Sequence, residues 1–412
     1  MKKLLTLLLA TCMLLSVVSV SALADDKIEL TLWHYFGIDY DYSDGSIFQN
    51  DIDNFNAMQD RIHISYEFVS REDLMRQYQM GAISGELPDI GMVDNPDMAS
   101  YIQMGVFADI TDQLNAWGEL DQFFPGPLNS CTQDGRIYGL PHNSNCLCLF
   151  YDKDALDEAG LAVPTNWTEL RAAAKALTNP ETGRYGFAIS AVKNEEGCFQ
   201  FIPWFLSPGG VLEELNGEGC VEALGFLNSL IEDGSMPKDI INWTQGDCNN
   251  QFISGGIAMQ INGPWNVASI KDMAPDKNWG VALIPHADNG VNASVLGGEN
   301  FGITTACEDI DAAMEFLTYL MSKEVSADFC ETAGKFSPRK DSSESKEIWV
   351  VDPIFSVFAE NMNYAMPRGP HPRWPEISTA ISTAEHQVFT GSMDVQTALD
   401  EAAASVAEIL QQ

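Results

Sequence analysis

The chain has 412 residues, 45% of them apolar and 20% charged. That is a globular composition, and it excludes a disordered chain, a collagen-like repeat and a protein of many membrane spans. Twenty-two basic residues against 59 acidic ones give a formal charge of −37, so the surface repels nucleic acid and anionic lipid.

The first residues read as a secretory signal. Lys2 and Lys3 precede an apolar run from Leu4 to Val20, and Ala22-Leu23-Ala24 is a small-x-small cleavage site followed by Asp25-Asp26. We expect residues 1–24 to be removed and the protein to be exported. Leu9-Ala10-Thr11-Cys12 superficially offers a lipid-anchor site, but the apolar run continues well past Cys12, and no lipid anchor is expected.

Ile28 to Phe36 reads as a first strand, and Ile47 to Met58 has helical spacing. Arg61 to Val69 alternates as a second strand, Asp73 to Ile83 is helical, and Asp89 to Val93 is a short buried strand. Strand, helix, strand, helix, strand is the rhythm of an α/β domain with a parallel sheet. Further strands are expected at Cys146–Tyr151, Tyr185–Ser190, Ile257–Ile261 and Val281–Ile284. The helices expected between them include Trp167–Leu177, capped by Thr165 or Asn166. Helices close the chain at Ile377–Thr390 and Val395–Leu410.

Motifs for chemistry are sparse. No nucleophile elbow, phosphate loop, His-Glu-x-x-His or dinucleotide fingerprint occurs, and the six histidines never pair at metal-ligand spacing. Asp39-x-Asp41-x-Ser43-Asp44-Gly45 has a faint likeness to a calcium loop, but its glycine is one place late. No cofactor, metal or catalytic residue is expected. Eight cysteines lie beyond Ala24, none in Cys-x-x-Cys spacing; export permits disulfides, and buried free thiols fit equally well.

Aromatic residues beside turns and strand ends carry more information. Trp33-His34-Tyr35-Phe36 closes the first strand, Trp204 precedes Pro208-Gly209-Gly210, Trp265 sits in Asn262-Gly263-Pro264-Trp265, and Trp374 lies between Pro372 and Pro375. Ligands of open α/β sheets sit beyond the carboxyl ends of the strands, where an indole can lie on the apolar face of a sugar ring. Trp117, Trp167, Trp279 and Trp349 are read as structural, and Trp243 is left open.

In chain order, Leu30–Phe36, Gly85–Ile90, Ala108–Thr111, Gly135–Pro141, Leu149–Asp154, Pro164–Leu170, Phe252–Met259 with Asn262–Trp265, and Val395–Asp400 form a series. With these motifs the chain resembles the carbohydrate-type extracellular solute-binding proteins (family 1), receptors of bacterial ABC importers related to maltose-binding protein. The resemblance implies a two-lobed α/β fold of the type II periplasmic-binding-protein kind, its ligand cleft between lobes joined by a hinge crossed three times. Lobe one is then 25–142 plus 294–338, and lobe two is 143–293 plus 339–412. It further implies a monomer that captures a sugar or oligosaccharide without chemistry and hands it to permease subunits.

By motif position, the expected ligand-binding residues on lobe one are Trp33, His34, Tyr35, Asp94, Asn95, Gly298, Glu299 and Asn300. On lobe two they are Gln200, Trp204, Trp265, Arg373 and Trp374, with Trp265 the first candidate for a stacking platform and Trp374 the second. Basic residues are few near these motifs, which favours a neutral glycan over phosphate or carboxylate ligands. The rival readings are a secreted carbohydrate-active enzyme, a sensor feeding a membrane kinase, and an adhesive surface protein.

Overall fold

A computed structural model describes residues 27–37 and 43–410. The signal segment, Cys12 and the first part of the acidic loop (Asp39, Asp41) lie outside the described residues. Asp44 and Gly45 open the helix Asp44–Met58 rather than closing an ion loop, and Ser43 caps it by accepting from the Ser46 N–H at 3.3 Å. Among the described residues no three His, Cys, Asp or Glu side chains group to hold a metal.

A five-stranded sheet organises one half of the molecule. Its strands are β1 (Ile28–His34), β2 (Ile62–Phe68), β3 (Ile90–Asp94), β6 (Leu140–Pro141) and β11 (Glu299–Ile303), in the spatial order β2-β1-β3-β11-β6. The hairpin strands β4 (Thr132–Gln133) and β5 (Arg136–Ile137) pair apart from it. β1 runs parallel to β2 and β3, as the alternating strand and helix pattern predicts, but β11 lies antiparallel to both β3 and β6. The mixed sheet arises because β11 arrives from a distant part of the chain, without a crossover helix. β3 is buried at every position, as a central strand covered on both faces must be. Leu30, Leu32 and His34 point into one layer, with Phe48, Ile52, Phe55 and Phe316, while Trp33 points to the other, with Tyr78 and Tyr101.

The other half holds a smaller sheet: β7 (Cys148–Asp152) between β8 (Met259–Asn262) and β9 (Trp279–Ala282), antiparallel to both. The expected strand at Tyr185–Ser190 is reduced to isolated bridges from Tyr185 to Ile257 and from Ala188 to Gln260. Around this sheet pack the helices Trp167–Leu177, Glu195–Leu206, Glu218–Glu232, Trp374–Thr390 and Val395–Leu410. Asn166 starts the first of these by accepting from the Glu169 N–H at 2.9 Å. A two-stranded ladder of β10 (Ser294–Leu296) and β12 (Ala365–Pro367) lies at its margin.

The hydrophobic clusters divide accordingly. One large cluster draws on residues from Cys146 to Val295 and from Trp349 to Ile409. The layers flanking the five-stranded sheet draw on Leu30 to Leu140 and on Phe301 to Ala333. The chain therefore changes core three times: between Leu140 and Cys146, between Val295 and Phe301, and between Ala333 and Trp349. All eight described cysteines are buried and unbridged.

Candidate functional site

The ends of β1 and β3 and the start of β11 converge where the two cores meet. Tyr35 follows β1, Asp94 ends β3, and Glu299, which opens β11, is the register partner of Asp94. Gly298 makes the sharp entry to β11 at φ +143°, where a Cβ would lie 2.2 Å from the Asn143 carbonyl oxygen. Its own carbonyl accepts the Asn95 N–H at 3.0 Å. Sheet register thus brings Tyr35, Asp94, Asn95, Gly298 and Glu299 together from distant parts of the chain.

Across from them stands Trp265, in the turn after β8. Asn262, fully buried, shapes that turn: its Nδ2 donates to the Gln245 carbonyl at 2.9 Å and to Gln260 Oε1 at 3.0 Å, and its Oδ1 accepts the Gly263 N–H at 3.0 Å. Trp265 folds back over Gly263, whose absent Cβ leaves room for the ring. The half-buried indole lines the groove opposite Tyr35, Phe36 and Glu299.

The groove is continuous, in three compartments. The middle one, about 210 Å³, lies between Tyr35, Phe36, Glu299 and Lys335 on one side and Asn145, Phe199, Gln245 and Trp265 on the other. It shares Tyr35, Arg71 and Asp94 with a compartment of about 230 Å³ bounded by Asp97, Tyr101, Glu195 and Thr379. Beyond Trp265 and Asp44 it opens into a third of about 570 Å³, lined by Asn249, Asn250, Asn266 and Ser269. Adjacent compartments together reach the roughly 300–1,000 Å³ usual for small-molecule sites. In the middle compartment the buried Gln245 Nε2 and Asn145 Oδ1 have no hydrogen-bond partner in the protein, and such groups are costly unless a ligand or water meets them.

Contrary to the expectation that cations are scarce here, Arg71, Lys193, Lys335 and Arg368 all line the first two compartments. Three of them are ion-paired. Arg71 pairs with Asp94; Lys335 Nζ lies 2.7 Å from Asp44 and 3.1 Å from Glu299; Arg368 pairs with Asp94 at 2.7 Å and with Glu195. Burial opposes charge on Asp94, but Arg368 and Arg71 outweigh it and hold the carboxyl below its usual range. Asp97 is the reverse case: burial, then the Glu195 and Asp94 carboxylates, push its pKa well up. With Arg71, Lys335 and Arg368 already paired to carboxylates and Glu196 also lining the groove, little positive charge is left over for an anionic ligand.

Seven expected site residues do not reach the groove surface. His34 is 2% exposed and packs among Phe36, Phe48, Tyr66 and Phe68, because strand alternation turns it into the core; burial lowers its pKa to about 4. Trp33 turns to the opposite layer, its ring 5.6 Å from that of Tyr78. Asn300 is buried within the sheet and donates to Ser130 at 2.9 Å. Trp204 and Gln200 lie at 0% exposure on the helix Glu195–Leu206, and Trp204 is enclosed by Trp167, Phe187 and Phe226. Trp374 is 1% exposed, so its face is sealed, but its Nε1 donates to groove-lining Glu195 at 2.9 Å. Arg373 also misses the groove and forms a surface pair with Glu376 at 2.6 Å.

A profile of the family described as bacterial extracellular solute-binding proteins matches residues 52–356. A galactooligosaccharide-binding protein of Bacillus subtilis (strain 168) is 26% identical over 340 residues, covering 79% of this chain and 77% of that protein. An ABC transporter solute-binding protein of Thermotoga lettingae TMO, solved bound with α-D-tagatose, superposes with a TM-score of 0.82 at 25% identity, over 93% of this chain and 100% of the other. The GacH receptor of Streptomyces glaucescens GLA.O, solved unliganded and with acarbose, gives 0.85 at 22% identity, over 94% and 99% of the two chains.

Proposed function

Because this chain belongs to the bacterial extracellular solute-binding protein family, we propose that it is the binding protein of an ABC importer, taking a neutral sugar or oligosaccharide into the groove between its two cores and passing it on intact. The observation that carries this reading is Trp265, held over Gly263 and facing Tyr35 across a groove whose cations are mostly neutralised. An indole offers the apolar ring faces of a sugar a flat surface, and Gln245 Nε2 and Asn145 Oδ1 offer its hydroxyls a donor and an acceptor. Three compartments in line suit a chain of sugar units better than a single one. Relatives that bind galactooligosaccharide, tagatose or acarbose support the ligand class.

In this reading the lobes are 25–142 plus 294–338 and 143–293 plus 339–412, save that Ser294–Leu296 pack with the second lobe, and the three changes of core are the hinge. Ligand contacts both lobes only when they are closed, so binding shifts the equilibrium toward closure. A micromolar dissociation constant requires about −8 kcal/mol, within reach of a stacked ring and several hydroxyl hydrogen bonds. Export places the capture outside the cytoplasm, and the permease subunits are the partners that read the closed form.

The test is a thermal-shift and calorimetric panel of galacto-, malto- and manno-oligosaccharides and their monosaccharides, with chromatography of the products. At least one should raise the midpoint and be recovered unchanged. Recovery of shortened sugars would instead point to an enzyme.

A further inference from the structure

One side chain ties the two halves of the groove together, and sequence motifs give no sign of it. Arg368 follows β12 and is carried by the larger core, with its guanidinium 4.4 Å from the centroid of Phe199. Its Nη2 donates to Asp94 Oδ1 at 2.7 Å and to Asn95 Oδ1 at 3.2 Å, and its Nη1 donates to Asp94 Oδ2 at 3.0 Å. Both acceptors belong to the end of β3 and the turn after it, on the five-stranded sheet. Nη1 also meets Glu195, on the larger core's own helix, and Nε donates to the Leu296 carbonyl at 3.4 Å. The side chain is 2% exposed. The buried lysine of the groove, Lys335, by contrast has both its carboxylate partners (Asp44 and Glu299) on its own side.

We propose that Arg368 is a clasp across the cleft: its fork on Asp94 holds the lobes closed without ligand and positions the Asp94 and Glu195 carboxylates that edge the site. The proposal deepens the binding reading above and rests on its two-lobe hinge. A paired Arg–carboxylate fork fixes direction as well as distance, and Glu195 is itself held by the Trp374 N–H. A protein whose closed form is populated before ligand arrives binds more tightly than one that must first close, since apparent affinity scales with the competent fraction. The clasp thus sets how much of the binding energy survives closure.

The test uses the full exported chain without sugar, by small-angle scattering, so it stands whether or not any sugar binds. Arg368→Gln and Asp94→Asn should each raise the radius of gyration of the unliganded protein beyond experimental error. The double variant should open no further than Arg368→Gln alone, because that change already removes every bond the fork makes to Asp94 and Asn95. Arg368→Lys, which keeps the charge but not the fork, should open the protein to an intermediate degree. Lys335→Gln, which breaks ion pairs within one lobe, should lower the melting midpoint while leaving the radius unchanged. A wild-type radius for both Arg368→Gln and Asp94→Asn, with circular dichroism showing intact folds, overturns the clasp. So does additive opening in the double variant. Where Arg368→Gln fails to fold, the isosteric Asp94→Asn carries the decision by the same readout. Sugar titration of the same variants is read separately: no binding by any of them, wild type included, sinks the sugar-receptor reading and leaves the scattering result standing.

Discussion

Replacing Gly263 by alanine tests the stacking platform without deleting it. A Cβ at this position would sit 2.0, 2.1 and 2.4 Å from three carbon atoms of the Trp265 ring. Ordinary carbon contacts lie at about 3.5–4.0 Å, so the indole must swing by about 1.5 Å. The Gly263 φ is −104°, which alanine adopts freely. The half-buried ring can move, so stability should change by less than about 1 kcal/mol, part of the strain being offset by the reduced freedom of the unfolded chain. The stacked geometry cannot survive the movement. A ring contact is worth about 0.5–1.5 kcal/mol beyond its area, and with some lost burial the cost is about 1–2 kcal/mol, or roughly 5- to 30-fold in dissociation constant. Calorimetry with the best sugar of the panel reads the affinity, and near-ultraviolet circular dichroism confirms that the ring moved. An altered indole spectrum with affinity unchanged within twofold would show that Trp265 does not stack on the ligand.

Four further outcomes follow from the same packing and burial. Trp204→Ala opens a cavity in the large core and should cost about 3–5 kcal/mol of stability, read as a lowered denaturant midpoint; an unchanged midpoint would contradict its burial. Burial holds His34 neutral, its pKa lowered to about 4 against the ordinary 6.5. The unfolded chain therefore takes up the proton first as pH falls, and stability drops between about pH 6.5 and 4. His34→Phe should remove about 3 kcal/mol of that loss, and an acid limb as steep as wild type would refute it. Glu385, buried with neither oxygen partnered, has its pKa pushed well up by desolvation, so its contribution is present at low pH and lost as pH rises. Glu385→Gln should therefore be more stable than wild type at pH 8 and equal to it near pH 4, and the opposite ordering in denaturation curves would be decisive against it. Finally, the buried, unbridged cysteines should resist a thiol reagent in the native protein, and dithiothreitol should leave the melting midpoint unchanged; a drop of several degrees would reveal a disulfide.

The first three strands and most helices were legible because their signals are local. The helix Val395–Leu410 falls where apolar periodicity places it, and Asn166 caps the helix before which it stands. Trp265 was legible too, since a strand running straight into Asn-Gly-Pro has nowhere to put an indole except beside the strand end. Trp374 has the same kind of neighbours, but Pro375 there starts a helix, and the ring becomes that helix's first buried residue. His34 and Trp33 show a different difficulty. The motif fixes the strand, yet alternation sends each of two successive side chains into a separate layer, and only Tyr35 and Phe36, beyond the last pairing, reach the groove. The cations were missed for a physical reason: Arg368 and Asp94 are 274 positions apart, and no period or spacing in a single sequence reports a partner at that distance. Arg71 and Asp94 are only 23 apart, but they meet through the sheet, not along one helix face.

Titration of the wild-type protein and Trp265→Ala with the same oligosaccharides, by calorimetry, decides whether this indole carries sugar recognition. Wild type should bind at least one neutral oligosaccharide saturably and one to one, Trp265→Ala should lose more than tenfold in affinity, and the two proteins should share a melting midpoint without sugar. Equal affinity in both proteins, or heat of binding only with charged solutes, would contradict that role.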